Sequence, residues 1–331
     1  MNLETRISAL VHIGRYLLGN SDTLTSVSQR AYEHNRWFIP EYIKKAGENS
    51  ADSMLSAQIL EDFSREYQTP QMQVNPKTIG LIMAGNIPYV GFHDLVCTFL
   101  FGHKVRIKLS SKDPYLIKHL IEMASIEYPE INNYFQFDEM LKGCDAYIAT
   151  GSDNSARYFE YYFKKYPHII RKNKTSIAIL EGNETTEELS LLADDIQLYF
   201  GLGCRNVTQV YVPEGYDFVP LLNALRKYDH YRDHAKYMNN FDYQLTIAIM
   251  NNQYYMSNDS IVLIKNESAF SPIGQLHYQF YSSKKQINDG LIEDKIQCTI
   301  GREYTPWGTS QVPKIRDYAD GIDTMSFLQH L

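Results

Sequence analysis

Thr78-Ile79-Gly80-Leu81-Ile82-Met83-Ala84-Gly85-Asn86-Ile87-Pro88 begins the stretch that decides the fold. Its first seven residues form a short apolar run bounded by turn residues. Tyr89 to Phe101 then has helical length, and Lys104-Val105-Arg106-Ile107-Lys108 reads as a strand. The same strand and helix alternation continues downstream. Helices are expected from Tyr115 to Ile126, Asn154 to Tyr166 and Glu187 to Phe200, with strands at Ala146-Tyr147-Ile148-Ala149 and from Ser176 to Leu180. Repeated alternation of this kind predicts a parallel sheet covered on both faces. The pattern restarts after Cys204 with a strand at Thr208-Gln209-Val210-Tyr211-Val212, a helix from Phe218 to Lys227 and a β-rich stretch from Tyr254 to Tyr281, which predicts a second α/β domain. Upstream, residues 1 to 68 are polar and helical in pattern and end in the turn-rich segment from Gln68 to Lys77.

Composition narrows the function. The chain has 331 residues, 44% of them apolar and 21% charged, which suits a globular enzyme with one or two cores. Its formal net charge of -7 lacks the basic footprint of a nucleic-acid-binding domain, so no nucleic acid is expected as partner. The N-terminal MNLETRISALVHIGRYLLGN mixes charged and apolar residues as an amphipathic helix does and lacks the apolar core of a signal peptide. Apolar stretches such as Leu95 to Gly102 fall short of the roughly 20 residues of a membrane span, and none is expected. Cys97, Cys144, Cys204 and Cys298 form no CxxC pair and no metal-ligand spacing with the ten histidines. A reduced, cytoplasmic chain without a metal site follows as the expectation, and the sequons at Asn173 and Asn206 are then chance matches.

Four segments have residues suited to chemistry, each with a plainer alternative. At Gly85-Asn86-Ile87-Pro88 a ligand would meet a strand end; otherwise Asn86 caps the next helix. Lys108-Leu109-Ser110-Ser111-Lys112 has ammonium and hydroxyl groups for a phosphate or ribose; otherwise it is a solvated loop with Ser111 or Asp113 as helix cap. Thr150-Gly151-Ser152 allows close backbone approach to a cofactor, or is only a tight turn without a GxGxxG fingerprint. Phe200-Gly201-Leu202-Gly203-Cys204-Arg205-Asn206 places a thiol beside two glycines and an arginine that favours the thiolate, whereas a lone cysteine is more often a small buried apolar residue.

Taken in order, these segments resemble the aldehyde dehydrogenase superfamily and, more closely, the bacterial acyl-CoA reductase family that includes the fatty acid reductase of bioluminescence systems. Lys108 lies 22 positions after Asn86, and Cys204 lies 53 after Gly151, as the superfamily pattern requires. The narrower resemblance rests on the segment from Phe200 to Val207, on Pro306-Trp307-Gly308-Thr309-Ser310-Gln311 and on Asp317-Tyr318-Ala319-Asp320-Gly321-Ile322-Asp323-Thr324, and it runs from about Thr78 to the C-terminus. It implies an α/β, aldehyde dehydrogenase-like fold with a parallel-sheet nucleotide-binding domain and a second α/β catalytic domain. The expected division is residues 1–195 with a C-terminal return 312–331, against 196–311. In this resemblance Cys204 is the nucleophile, Asn86 the oxyanion-binding amide, and Lys108, Ser110, Ser111, Thr150, Gly151 and Ser152 the cofactor-binding set.

Two departures from the dehydrogenase pattern refine the expectation. The segment from Tyr161 to Thr175, where the glutamate that activates water should lie, has no carboxylate, and Glu181 after the next strand is read as structural. Without a base for hydrolysis, the acyl group is expected to arrive as an acyl-CoA or another acyl thioester and to leave as aldehyde. The acidic residue that follows the ribose lysine by three positions in NAD-preferring relatives is here Ser111, beside Lys112, which favours NADP(H) while leaving NAD(H) usable. The rivals are a hydrolytic aldehyde dehydrogenase and a catalytically silent scaffold. A homo-oligomer and an acyl-activating partner enzyme are what the resemblance implies.

Overall fold

The computed structural model describes residues 1–290 and 293–331. In chain order the elements are α1 (Leu3–Leu18), α2 (Asp22–His34), α3 (Pro40–Met54), α4 (Ala57–Glu66), β1 (Thr78–Ile82), α5 (Phe92–Phe101), β2 (Lys104–Lys108), α6 (Leu116–Glu127), β3 (Phe135–Phe137), β4 (Ala146–Thr150), α7 (Asp153–Phe163) and β5 (His168–Arg171). There follow β6 (Thr175–Ile179), α8 (Thr186–Gln197), β7 (Val207–Pro213), α9 (Val219–Leu225), α10 (Ala235–Met250), β8 (Tyr255–Ser257), β9 (Val262–Lys265), β10 (Gln275–Tyr281), α11 (Lys284–Gly290), β11 (Ile296–Ile300) and α12 (Thr324–Gln329). The chain separates into two compact units, Met1–Asn173 with Val312–Leu331, and Lys174–Gln311.

The first unit holds a five-stranded, wholly parallel sheet in the order β3-β2-β1-β4-β5. The register places Ile79, Leu81, Val105, Ile107 and Ile148 on one face, where all are buried, and on the other face β1 and β4 bury Gly80, Tyr147 and Ala149 while β2 presents Arg106 and Lys108. The apolar run of α5 is buried along almost its whole length, between β1 and β2 on one side and α1 and α12 on the other. The polar N-terminal region is anchored by Arg6, whose fully buried guanidinium donates to the carbonyls of Leu100, Met1 and Pro70 at 2.9–3.1 Å.

The segment Asp317-Tyr318-Ala319-Asp320-Gly321-Ile322-Asp323-Thr324 serves as an anchor in this unit. Arg171 forks onto Asp94 at 2.6 and 3.1 Å and onto the Thr324 hydroxyl at 2.8 Å, and it also reaches the Ala319 carbonyl. Burial works against the charged form of Asp94. The Arg171 charge and its hydrogen bonds outweigh that cost and leave the carboxyl below its ordinary value. Breaking such a buried pair from one side costs about 3 to 5 kcal/mol.

The second unit holds a six-stranded sheet in the order β11-β6-β7-β10-β9-β8, parallel except where β8 pairs antiparallel to β9. Strand β6 is buried at every position. Because β6 pairs with β7 and β11, it and α8 lie in the second unit, so contacts divide the chain at 173/174, before the boundary expected near 195. Helices α5, α7, α8 and α9 are shorter than the sequence predicts, and for α5 and α8 the backbone shows why. Left-handed backbone at Tyr89 and Gly91 delays α5 to Phe92, and left-handed backbone at Tyr199 and Phe200 ends α8 at Gln197. Strand β5 and helix α10 were not expected. Among the described residues no helix is long and apolar enough to cross a membrane, and no cluster of His, Cys, Asp or Glu suits a metal ion.

Candidate active site

In the first unit the sequence-predicted residues collect at the carboxyl ends of the parallel strands. Asn86 follows β1, Lys108 ends β2 with Ser110 and Ser111 after it, and Thr150-Gly151-Ser152 ends β4. The strand order reverses between β1 and β4, the place where open α/β sheets bind ligands. The loops after β1 and β2 are in contact. A Cβ on Gly85 would lie 2.7 Å from the Ser110 hydroxyl and 2.9 Å from its Cβ, so this approach needs glycine.

Asn86 is half-buried and does not cap α5, whose N-cap position is the left-handed Gly91. That removes the plainer reading of this residue. Lys108, Ser111 and Lys112 are exposed, and the backbone beneath them is fixed. His34 Nε2 lies 2.7 Å from the Ser111 carbonyl, Asn35 donates to the Lys112 carbonyl, and the Lys112 amide donates to Ser110 Oγ at 3.2 Å. The end of α2 therefore supports this loop, a role the sequence did not disclose. Asp113 is buried and accepts from the Leu116 amide at 3.1 Å, and burial raises its carboxyl above the ordinary value. The N-cap position of α6 is Tyr115, without a side-chain cap, so neither Ser111 nor Asp113 is the expected helix cap; Asp113 only holds the Leu116 amide, and Ser111 and Lys112 face solvent.

In the turn after β4, Ser152 and Gly151 have structural roles. Ser152 caps α7 by accepting from the Ser155 amide, and a Cβ on Gly151 would meet Ser155 Cβ at 2.9 Å and the Phe159 ring at 3.0 Å. The glycine is required for packing strand against helix.

In the second unit Cys204 sits before the amino end of β7, on a loop that leaves α8 through three consecutive left-handed residues, Tyr199, Phe200 and Gly201. For the two non-glycine residues this costs about 1 to 2 kcal/mol each. Buried side chains hold the strained turn. The Phe200 ring stacks 4.4 Å from both Tyr231 and His234, and Tyr231 OH donates to the Gln197 carbonyl at 2.6 Å and accepts from the Phe200 amide at 3.3 Å.

Asn206, fully buried, ties the loop together. Its amide donates to the carbonyls of Asp195, Ile196 and Leu198 and its oxygen accepts from the Gly203 amide at 2.8 Å. Beneath, Ser176 Oγ donates to the Cys204 carbonyl at 3.1 Å and lies 3.0 Å from Cys298 Sγ. Cys204 is half-buried, whereas Cys97 is fully buried with its thiol pushed up by burial. Arg205 also hydrogen-bonds to Cys298, so its charge is shared with that thiol as well as lying next in sequence to Cys204.

The Pro306-Trp307-Gly308-Thr309-Ser310-Gln311 segment is clamped by Asp195, which accepts from the Gly308 amide at 2.7 Å and from the Ser310 amide and hydroxyl at 3.0 and 2.7 Å. Burial raises Asp195 to about 6, against the pull of those hydrogen bonds. Glu181 follows β6, at the opposite end of the strand from Cys204, and is paired with Lys284 at 2.8 Å and Arg302 at 3.2 Å, which lower its carboxyl. An open groove of about 800 Å³ lined by Glu214, Lys265, Glu267 and Phe280 also lies at the carboxyl ends of the strands, away from Cys204.

No known family profile matches the chain. Among solved structures it is similar to an aldehyde dehydrogenase from Mycobacterium tuberculosis complexed with NAD+, with TM-score 0.63 and 12% identity, over 88% of this chain and 71% of that one. It is also similar to a succinic semialdehyde dehydrogenase from Streptococcus pyogenes in complex with NADP+, with TM-score 0.65 and 12% identity, over 94% of this chain and 80% of that one. The fold is that of the aldehyde dehydrogenases. Among curated proteins, the long-chain acyl-protein thioester reductase of Aliivibrio fischeri is 25% identical over 174 residues, which span 47% of this chain but only 36% of that protein's length. The solved structures share the fold, and the partial similarity to a thioester reductase is in line with the resemblance read from the sequence.

Proposed function

We propose that the chain is a nicotinamide-dependent reductase that converts an acyl thioester, such as an acyl-CoA, into an aldehyde through a covalent acyl group on Cys204. The observation that carries this reading is the loop around Cys204, where a strained backbone is held by buried side chains that make no other evident use of it. Strain of this kind concentrates at functional sites. The thioester reductase similarity supports the substrate class.

In this mechanism the Cys204 thiolate attacks the thioester carbonyl and the Cys204 N–H stabilises the oxyanion, while Asn86 keeps the oxyanion-binding role that the sequence resemblance implies. The C–S bond to the carrier breaks, the carrier thiol leaves, and an acyl-Cys204 thioester remains. Reduction of the acyl carbon takes a hydride, which NADP(H), or NAD(H), would supply when bound. The resulting thiohemiacetal collapses to aldehyde and regenerates the Cys204 thiolate. The first unit fits such a cofactor. Exposed Lys108, Ser111 and Lys112 stand at the end of β2, on a backbone held by His34 and Asn35 beside the point of strand-order reversal. Thr150, Gly151 and Ser152 would border it through their backbone. Asp195 and Glu181 are both engaged elsewhere, which disfavours hydrolysis of the acyl-enzyme.

The test is incubation with a long-chain acyl-CoA and NADPH, following nicotinamide absorbance and covalent acylation together. Cys204→Ala should abolish both while circular dichroism is unchanged, and Cys97→Ala should keep most of the activity. Acid formation from aldehyde without CoA would restore the hydrolytic reading. Absence of acylation in the parent protein would favour a scaffold role.

A further inference from the structure

Ser176 is fully buried at the amino end of β6, and its hydroxyl meets the Cys204 carbonyl at 3.1 Å and Cys298 Sγ at 3.0 Å. A hydroxyl has one proton and two lone pairs. The carbonyl can only accept, so the serine proton is committed to it. Toward Cys298 the serine then offers only lone pairs, and Cys298 must donate its S–H. We propose that Ser176 is a positioning residue for the Cys204 nucleophile, and that Cys298 orients it as a neutral thiol donor.

The chain of donors runs one way, from Cys298 S–H to Ser176 Oγ and from Ser176 O–H to the Cys204 carbonyl. Burial pushes the Cys298 thiol up, with Ser176 and Arg205 offsetting part of that effect, so the thiol keeps the proton this arrangement requires. Asn206 fixes the loop from the α8 side by holding Gly203, and Ser176 fixes the carbonyl of Cys204 itself. Between them the backbone on both sides of the thiol is determined. Cys298 therefore has a role distinct from that of Cys204: it is a donor that remains protonated.

The inference rests on Cys204 as the reactive thiol, and the experiment separates the two. Full-length parent, Ser176→Ala, Ser176→Thr, Cys298→Ala and Cys298→Ser proteins are treated with iodoacetamide and, separately, with palmitoyl-CoA. Modification of Cys204 is followed by mass spectrometry, with thermal stability and the kcat and KM of reduction measured alongside. Ser176→Ala should slow both modifications of Cys204 by about 2- to 12-fold, the worth of one neutral hydrogen bond, and lower kcat with KM unchanged. Ser176→Thr and Cys298→Ser keep the donor chain and should restore most of the rate, whereas Cys298→Ala should not. Equal rates in Ser176→Ala and parent would overturn the inference, as would a Cys298→Ser protein no faster than Cys298→Ala. If the parent takes no acyl group on Cys204, the proposed function fails, and the iodoacetamide arm still decides whether Ser176 positions the thiol.

Discussion

Around Lys108 the side chains that matter face water and the hydrogen bonds that fix them run through backbone carbonyls, whereas around Cys204 the supporting side chains are themselves buried and saturated. Ser111, Lys112 and Lys108 are exposed, and His34 and Asn35 hold only the chain beneath them. Asn206, Ser176 and Tyr231 are all within two per cent of complete burial and each contacts the loop directly. The first arrangement suits reversible capture of a charged ligand, since the cations stay hydrated until it arrives. The second suits covalent chemistry, which needs a fixed nucleophile more than a binding surface. Substitutions in the first region should give graded changes in selectivity, and substitutions bearing on the second should act on turnover.

Asn86 tests that division most severely, because it lies in the first region and is assigned to the chemistry of the second. Removing one oxyanion donor costs about 100- to 1,000-fold in turnover. Asn86→Ala should lower kcat by that factor and leave the NADPH dissociation constant within about twofold. Since Gly91 occupies the N-cap of α5, a loss of activity could not be ascribed to a lost helix cap. Normal turnover in the variant would remove Asn86 from the mechanism.

The same contrast explains what could be read from the sequence. Strands β1, β4, β6 and β7 announce themselves because buried parallel strands are written as short, largely apolar runs between turns, and β2 because its charged and apolar residues alternate. The residues at their carboxyl ends were legible for the same reason, since a strand end fixes where the next loop begins. The supports of Cys204 were not legible. Asn206 reads as a chance sequon because its partners, 3 to 11 positions back, converge on it only through the left-handed turn, and Ser176 reads as an ordinary strand residue because its partners lie 28 and 122 positions away. Helix α8 reads as continuing to Phe200 because propensity cannot signal that aromatic packing on Tyr231 and His234 will stabilise a left-handed turn there.

Asp195 gives the Cys204 side of the comparison a pH signature. Its folded-state value of about 6 lies above the ordinary 3.8, so the folded protein binds this proton more tightly than the unfolded chain does. The associated stability is fully present below 3.8 and is lost as pH rises through 6, a span of about 3 kcal/mol. Urea unfolding of the parent at pH 4, 5, 6 and 7, set against Asp195→Asn, should show the parent losing stability relative to the variant over that window. Parallel curves would mean that the hydrogen bonds from Gly308 and Ser310 hold the carboxylate charged throughout.

The smallest expected effect belongs to the exposed region and concerns cofactor choice. A 2′-phosphate has close to two negative charges at neutral pH, and a charge-assisted hydrogen bond to it is worth roughly 1.5 to 3 kcal/mol. Lys108 would serve the ribose of either cofactor, so only Ser111 and Lys112 discriminate. Both are exposed, which screens their charge interactions. A preference for NADPH of about tenfold to a hundredfold, or about 1.4 to 2.7 kcal/mol, is expected. Asp113 does not oppose it, because that carboxyl is buried and accepts from the Leu116 amide. Ser111→Glu places a carboxylate on a backbone already fixed by His34, and it should reverse the preference without changing thermal stability. The measurement is kcat/KM for NADPH and NADH in both proteins. Equal ratios in parent and variant would show that the loop after β2 does not read the phosphate, and the exposed cations there would then need another ligand to account for them.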